Sequence, residues 1–439
     1  MNATAAMPAN LSPSELRSPE DRLTDAMRGF VHEIGALSAF RLESCIHCGI
    51  CADGCHFYIA TEDPQYTPIW KVEPFKQVYK REASAFAPLF RLFGFKRRIT
   101  VDELEHWQHL LYDSCNLCGR CSLICPMGID VAALIEQARH AMFEAGLAPK
   151  ELYEHADFQQ RSGQPWPSEE PYRQKLESIA REHGVSIPID RGDADVILLV
   201  SGIEVDQYPG QVAALGRVMS HLGVSCTFRS DALFAENLAY FAGSTQWQRS
   251  ISLRIIEAAI ACKAKTVIVP ECGHAYTALR WEAAELYGKP LPFRVQHVTE
   301  FLSEQLDAGH LHLRQANAGS ITFHDPCQIV RKGGVTEAPR KLMRAMGVDL
   351  HEMANHKGFS FCCGGGGGVM LIERAAKLRY RTMENKLREV DDTGAQTLMT
   401  SCTGCRATFD DGKRHFQWDK TPQSLLELVA AHLATETQA

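Results

Sequence analysis

Two runs of cysteine stand out by their spacing. Cys45, Cys48, Cys51 and Cys55 are separated by two, two and three residues, and the same intervals recur at Cys115, Cys118, Cys121 and Cys125, which Pro126 follows. Three thiolates two residues apart wrap a tight backbone loop round three corners of an iron–sulfur cube, with amide N–H groups directed at the sulfides. A fourth thiol three residues further on cannot close the same cube comfortably. Zinc is the competing chemistry, yet it takes four ligands, usually as paired CxxC elements, and the doubled run exceeds that need. A second set begins at Cys327, continues with the adjacent Cys362 and Cys363 after 34 residues, and ends with Cys402 and Cys405 after 38 more. Five thiols suit one shared metal site; a vicinal Cys362–Cys363 disulfide and a Cys402/Cys405 redox pair are the alternatives.

The elements that must position these residues fall into two regimes. Val131, Leu134, Ile135, Ala138 and Met142 recur at helical spacing before Gly146, so the first regime ends in a helix. Residues 148–193, with Pro149, Pro165, Pro167, Pro171 and Pro188, read as a connector. Beyond it the sequence repeats. Asp195–Phe228 offers an apolar strand, a helix over Ala213–Leu222, a Gly223 stop and a short strand, and Ser320–Met353 offers the same order with a helix over Ala338–Met346 and a Gly347 stop. Thr266–His274 parallels Thr397–Cys405, and helices follow at Thr299–Leu306 and Ser424–Leu433. Two α/β copies with parallel sheets are expected, and each clustered cysteine should lie in a loop just after a strand, where loops converge on one crevice.

The eight-cysteine segment resembles a bacterial-type two-cluster [4Fe-4S] ferredoxin, with His56 in the place of the usual proline and Phe57–Ser114 as a long insertion. In that family the fourth cysteine ligates the other cluster. The resemblance therefore implies one cubane on Cys45, Cys48, Cys51 and Cys125, and another on Cys115, Cys118, Cys121 and Cys55. The later spacing, with CCG at Cys362–Gly364, is similar to the cysteine-rich CCG domain of heterodisulfide reductases, which holds a non-cubane [4Fe-4S] cluster on five such cysteines. The whole order resembles the D-type heterodisulfide reductase subunits over roughly residues 40–435. It is nearest in pattern to the K-type subunits of the sulfite-reductase-associated membrane complex, through Cys45–Phe57, Glu271–His274 and Phe323–Cys327. Pro8, Pro13 and Pro19 suit a disordered tail over 1–20, and with the connector over 148–193 the resemblance implies a helical ferredoxin-type domain over 21–147. A degenerate, Rossmann-like α/β half follows over 194–315, and a second, cluster-bearing CCG half over 316–439. The first half keeps only Cys272 where the second has Cys402 and Cys405, so it should hold no cluster; Cys272 and His274 are expected to line the crevice between the halves.

Other residues have plainer readings. Gly364–Gly368 lack the Gly-Lys-Ser/Thr of a phosphate loop, so Gly364 and Gly365 are expected to let backbone amides approach sulfide or leave room for a substrate thiol. His324 and Asp325 stand where they could relay protons. His47 and His56 flank ligands and could tune a cluster by hydrogen bonding. Cys226 and Cys262 read as small buried hydrophobes.

Composition bounds the function. The 439 residues, 45% apolar and 23% charged, suit two to four globular domains. A net charge of −7 lacks the basic footprint of a nucleic-acid binder, and Lys96, Arg97 and Arg98 read as a solvated turn. The most apolar stretch, Val196–Val200, is far short of the ~18 residues of a membrane span, and no secretory signal opens the sequence. A cytoplasmic location follows as an expectation, peripheral on the inner face of a membrane through a partner. The resemblance implies an oxidoreductase that passes electrons through two cubanes to the five-cysteine centre for disulfide reduction or thiol oxidation. Its electron partner would be a membrane quinone or haem subunit or a flavoprotein, and its substrate a thiol, a disulfide or a sulfur-carrier protein. A pure electron-transfer adaptor between a flavoprotein dehydrogenase and a quinone-reactive membrane partner is the rival; a zinc scaffold or redox sensor is the non-enzymatic alternative.

Overall fold

The computed structural model describes residues 17–93, 99–231 and 234–434. Most of the expected tail (residues 1–16) and the Lys96–Arg98 cluster lie outside these. The chain forms two compact units: the first takes Met1–Glu154, Ala239–Thr245 and Gly367–Leu378, the second the remaining segments.

The first unit is helical. Ser18 caps the Pro19–His32 helix by accepting from the Asp21 amide, and Glu20 and Asp21 in the first turn complement the helix dipole. Asp130 caps the Val131–Glu144 helix, whose apolar positions are buried, and Gly146 ends it at φ +74°. These two helices pack closely because Gly29 has no Cβ: one placed there would meet the Ala141 Cα at 2.8 Å. Arg139, fully buried, donates to the carbonyls of Leu111, Cys115, Phe241 and Gly367. It thereby ties two segments from far along the sequence into this unit.

The second unit holds the two copies. The first sheet comprises β1 (Val196–Leu198), β2 (Cys226–Thr227), β3 (Thr266–Val269) and β4 (Arg294–His297); the second comprises β5 (Ser320–His324), β6 (Asp349–Leu350), β7 (Thr397–Thr400) and β8 (Pro422–Ser424). All pairings are parallel, in the orders β2-β1-β3-β4 and β6-β5-β7-β8, so the internal repeat is a repeated topology. The central strands are short runs of apolar residues buried on both faces, as parallel sheets between helices require. Ile268, Ile321, Phe323, Met399 and Leu425 share one core across the two copies.

Each order reverses direction between its first and third strands, and ligand crevices in open α/β sheets open at the carboxyl ends of such strands. In the second copy these are β5 and β7, paired in register from Ile321↔Thr397 to His324↔Thr400. That register places Cys327 and Cys402, three and two residues beyond the paired ends, at the same edge. One expectation needs correcting. Cys362 and Cys363 do not follow a strand: β6 ends at Leu350, and an irregular stretch with one 3-10 turn, Lys357–Phe359, leads to them. Nor is Cys405 in a loop, since it lies in the first turn of the Thr403–Phe416 helix that Cys402 caps.

Candidate iron–sulfur centres

In the first unit both cysteine runs adopt the same local backbone. The second residue after the first cysteine (His47, Leu117) lies at φ +55° and +51°, and the fourth (Gly49, Gly119) at +80° and +73°. Such left-handed steps turn successive amides inward to form an anion-binding nest. The Leu117 amide donates to the Cys115 sulfur at 3.4 Å.

Two cavities lie beside these loops. One has Cys45, Cys48, Cys51 and Cys125 on its wall together with Ile69 and Val131. The other is lined by Cys55, Cys115, Cys118 and Cys121 with Lys71 and Ile135. Each wall thus carries the first three cysteines of one run and the last of the other. Four sulfurs per cavity with no competing carboxylate make a donor set that fits a [4Fe-4S] cube. Burial pushes the Cys121 thiol well above its usual range and raises Cys115 and Cys51. Thiols held neutral in this way ionise when a metal binds them.

His56, buried, bonds through Nε2 to the Asn116 side chain at 2.6 Å, which joins the two runs, and His47 Nε2 meets the Lys76 ammonium at 2.8 Å.

In the second unit Cys327, Cys362, Cys363, Cys402 and Cys405 are all buried. Hydrogen bonds from Cys362 and Cys405 hold the Cys363 thiol well below its usual range, while Cys405, the donor, is pushed up by Cys363 and Cys402. One ligand atom each from His324, Cys363 and Cys405 lies within 4.8 Å of the others. The Cys327 thiol makes no hydrogen bond among the described residues; it lies just beyond β5 and caps the Gln328–Lys332 turn, its carbonyl accepting from the Arg331 and Lys332 amides. His324 is fully buried, packs edge-on against Phe409 and, with no nitrogen or oxygen partner at either ring nitrogen, faces the Cys363 thiol, which it helps to hold below its usual range. An imidazole with only sulfur beside it fits a site whose bound group supplies a further partner.

The surrounding loops are held rigidly. The Gly364 amide donates to the Cys362 sulfur at 3.4 Å from a backbone at φ +97°. At Gly365 an added Cβ would sit 2.0 Å from Thr408 Oγ1, so glycine is what lets the CCG loop lie against the Thr403–Phe416 helix. Asp325, read from sequence as a relay candidate, is instead committed to a bidentate, buried pair with Arg340 at 2.8 Å and also accepts from the Lys357 amide. It anchors the approach to Cys362.

The first copy reaches this site as well. Cys272 caps a short helix after β3 with its sulfur 3.6 Å from His274 Nδ1, and a Cβ at Gly273 would come within 3.7 Å of the Cys402 sulfur. Sequence reasoning missed the polar lock beside it. Glu271, fully buried, accepts from Gln211 and Ser424 and binds the Thr403 amide through its carbonyl. Burial pushes Glu271 well up, Glu204 to about 7 and Glu236 to about 8. Glu271 stood in a recognisable motif and Glu204 closes a Ser201-x-x-Glu204 capping box, whereas Glu236 follows no pattern.

Fold and site resemble one class of protein, the iron–sulfur oxidoreductase subunits of the heterodisulfide-reductase-like kind. Residues 41–129 match the 4Fe-4S dicluster domain family and residues 321–410 the cysteine-rich CCG domain family. The chain is 26% identical to the D-type subunit of the dihydromethanophenazine:CoB–CoM heterodisulfide reductase of Methanosarcina barkeri, over 92% of this chain and 96% of that one. It is 25% identical to an Hdr-like menaquinol oxidoreductase iron-sulfur subunit of Archaeoglobus fulgidus, over 90% and 80% of the two chains. It is also 26% identical to an EtfAB:quinone oxidoreductase of Syntrophomonas wolfei, over 87% of this chain and 56% of that one. The resemblance to D-type, CCG-domain iron–sulfur subunits therefore spans nine-tenths of the chain. Among the described residues no helix is long and apolar enough to cross a membrane.

Proposed function

We propose that the chain binds two [4Fe-4S] cubanes and one non-cubane [4Fe-4S] cluster. The cubane ligands are Cys45, Cys48, Cys51 and Cys125 on one side and Cys55, Cys115, Cys118 and Cys121 on the other, a division the two cavity walls support. Cys327, Cys362, Cys363, Cys402 and Cys405 hold the third cluster. The clusters supply one-electron steps, and the reaction served is RS–SR′ + 2e⁻ + 2H⁺ → RSH + R′SH, or its reverse. In this reading residues 21–147 act as the ferredoxin-type domain, 316–439 as the catalytic half, and 194–315, joined through 148–193, as a half that closes the crevice with Cys272 and His274. Gly364 and Gly365 keep the loop tight to sulfur, and His324 directs a ring nitrogen at Cys363 and Cys405.

The observation that carries the reading is the buried thiol group around Cys363 with His324 facing it. The names of the relatives, which include a menaquinol oxidoreductase and a quinone oxidoreductase, support electron exchange with a quinone-reactive partner, and we place the chain peripherally on a membrane through a quinone- or haem-bearing subunit. The test is electron paramagnetic resonance of anaerobically purified protein with small and protein thiols added. A thiol-responsive signal, lost in Cys363→Ala, is expected. No response to any thiol would favour the second reading, an adaptor between a flavoprotein and a quinone reductase, for which the EtfAB:quinone oxidoreductase relative speaks. Stoichiometric zinc without iron would sink both.

A further inference from the structure

Lys71, in the Pro68–Val78 helix within the long insertion, is 2% exposed. Its ammonium lies 3.6 Å from the Cys55 sulfur, donates to the Ser114 carbonyl, and stands 5.0 Å from the centre of the Phe57 ring. It lines the cavity of Cys55, Cys115, Cys118 and Cys121. No carboxylate pairs with it among the described residues. Asp113, the buried carboxylate nearest Ser114 in sequence, is taken by Arg374 and His109. Arg139, bonded to the Cys115 carbonyl on the same side, also has only neutral carbonyl partners.

A buried cation without an anion is strongly disfavoured. The cavity beside Lys71 must therefore hold negative charge, and four thiolates round a [4Fe-4S] core provide it. The other cavity differs. Its nearby cation, Lys76, rests on His47 and, although its largest charge interaction is with Cys45, it also faces Lys80 and the carboxylates of Glu73 and Glu43, which share its charge, whereas Lys71 has no carboxylate beside it among the described residues.

We infer that Lys71 is the counter-cation of the cubane on Cys55, Cys115, Cys118 and Cys121, and that it makes this the higher-potential member of the pair. The inference rests on the cluster assignment proposed above. Reduction adds one negative charge to a cluster, and an uncompensated cation at hydrogen-bond range favours the reduced form. Lys71 is a positioning residue in this sense: it sets where an electron shared by the two cubanes resides.

The test is a redox titration of the full chain, purified anaerobically, followed by electron paramagnetic resonance. In Lys71→Met one of the two cubane waves should shift to more negative potential, the same wave that Cys118→Ser perturbs, while the other stays. Lys71→Arg should restore most of the shift. Lys71→Gln, which keeps a donor and loses the charge, should behave as Lys71→Met. If both neutral variants lose the iron of one cubane while Lys71→Arg keeps it, the counter-cation role is equally supported. Full iron with both waves unmoved, both waves moving together, or loss of iron in all three variants would overturn it. Absence of iron from the unsubstituted protein would instead refute the cluster assignment.

Discussion

At the scale of single residues, the chemistry is set by what burial does to ionisable groups. Glu204 and Glu236 show it in measurable form, since burial raises their carboxyls to about 7 and about 8. Each keeps a proton in the folded chain that it releases on unfolding, where its pKa is about 4.3. The unfolded state binds fewer protons between these values, so stability falls as pH rises from about 5, by up to ~1.4 kcal/mol per pH unit for each group, to about 7 for Glu204 and about 8 for Glu236. Glu236→Gln should flatten that fall, read as the denaturant midpoint of the full chain at pH 5.5 and pH 8. An unchanged pH slope would show that Glu236 is ionised in the folded protein. None of these groups was legible in the sequence. Lys71, Arg139, Glu204 and Glu236 sit in ordinary helical or loop patterns, and a buried charge leaves no periodic mark. Cysteine spacing was legible because a ligand set has to repeat its loop geometry.

At the scale of elements, the repeat carried most of the information. The Gly223 and Gly347 stops, at φ +62° and +64°, and the apolar strand cores fixed both copies in register, since a sheet buried on both faces leaves little freedom to slip. The approach to Cys362 was less legible. Its position after an irregular stretch is decided by the Asp325–Arg340 pair and by the contact of Gly365 with Thr408, which join residues distant in sequence. Gly365→Ala should therefore destabilise the second unit by about 1–3 kcal/mol through overpacking. Thr408→Ala in the same chain should recover a good part of the loss, because the hydroxyl is the nearest obstacle. Thermal unfolding of the two single variants and the double variant measures the coupling. Strict additivity would mean that the loop does not lie against that helix.

At the scale of the whole molecule, eight cysteines line two cavities of the first unit, Cys362, Cys363, Cys402 and Cys405 interact in the second with Cys327 at the same sheet edge, and Cys226 and Cys262 are simply buried in the second. Cys272 is the exception: it belongs to the copy without clustered cysteines yet lies close to Cys402. In the proposed function the inequality of the copies becomes a division of labour, with one supplying sulfur ligands and the other covering them. The most direct test of the account is iron quantitation in the intact chain, unsubstituted and with Cys363 and Cys402 both replaced by alanine. Three [4Fe-4S] clusters predict about twelve iron atoms per chain, and the double variant should lose about four while keeping both cubanes. Equal iron in the two proteins would contradict the account, because the five thiols of the second unit would then hold no cluster.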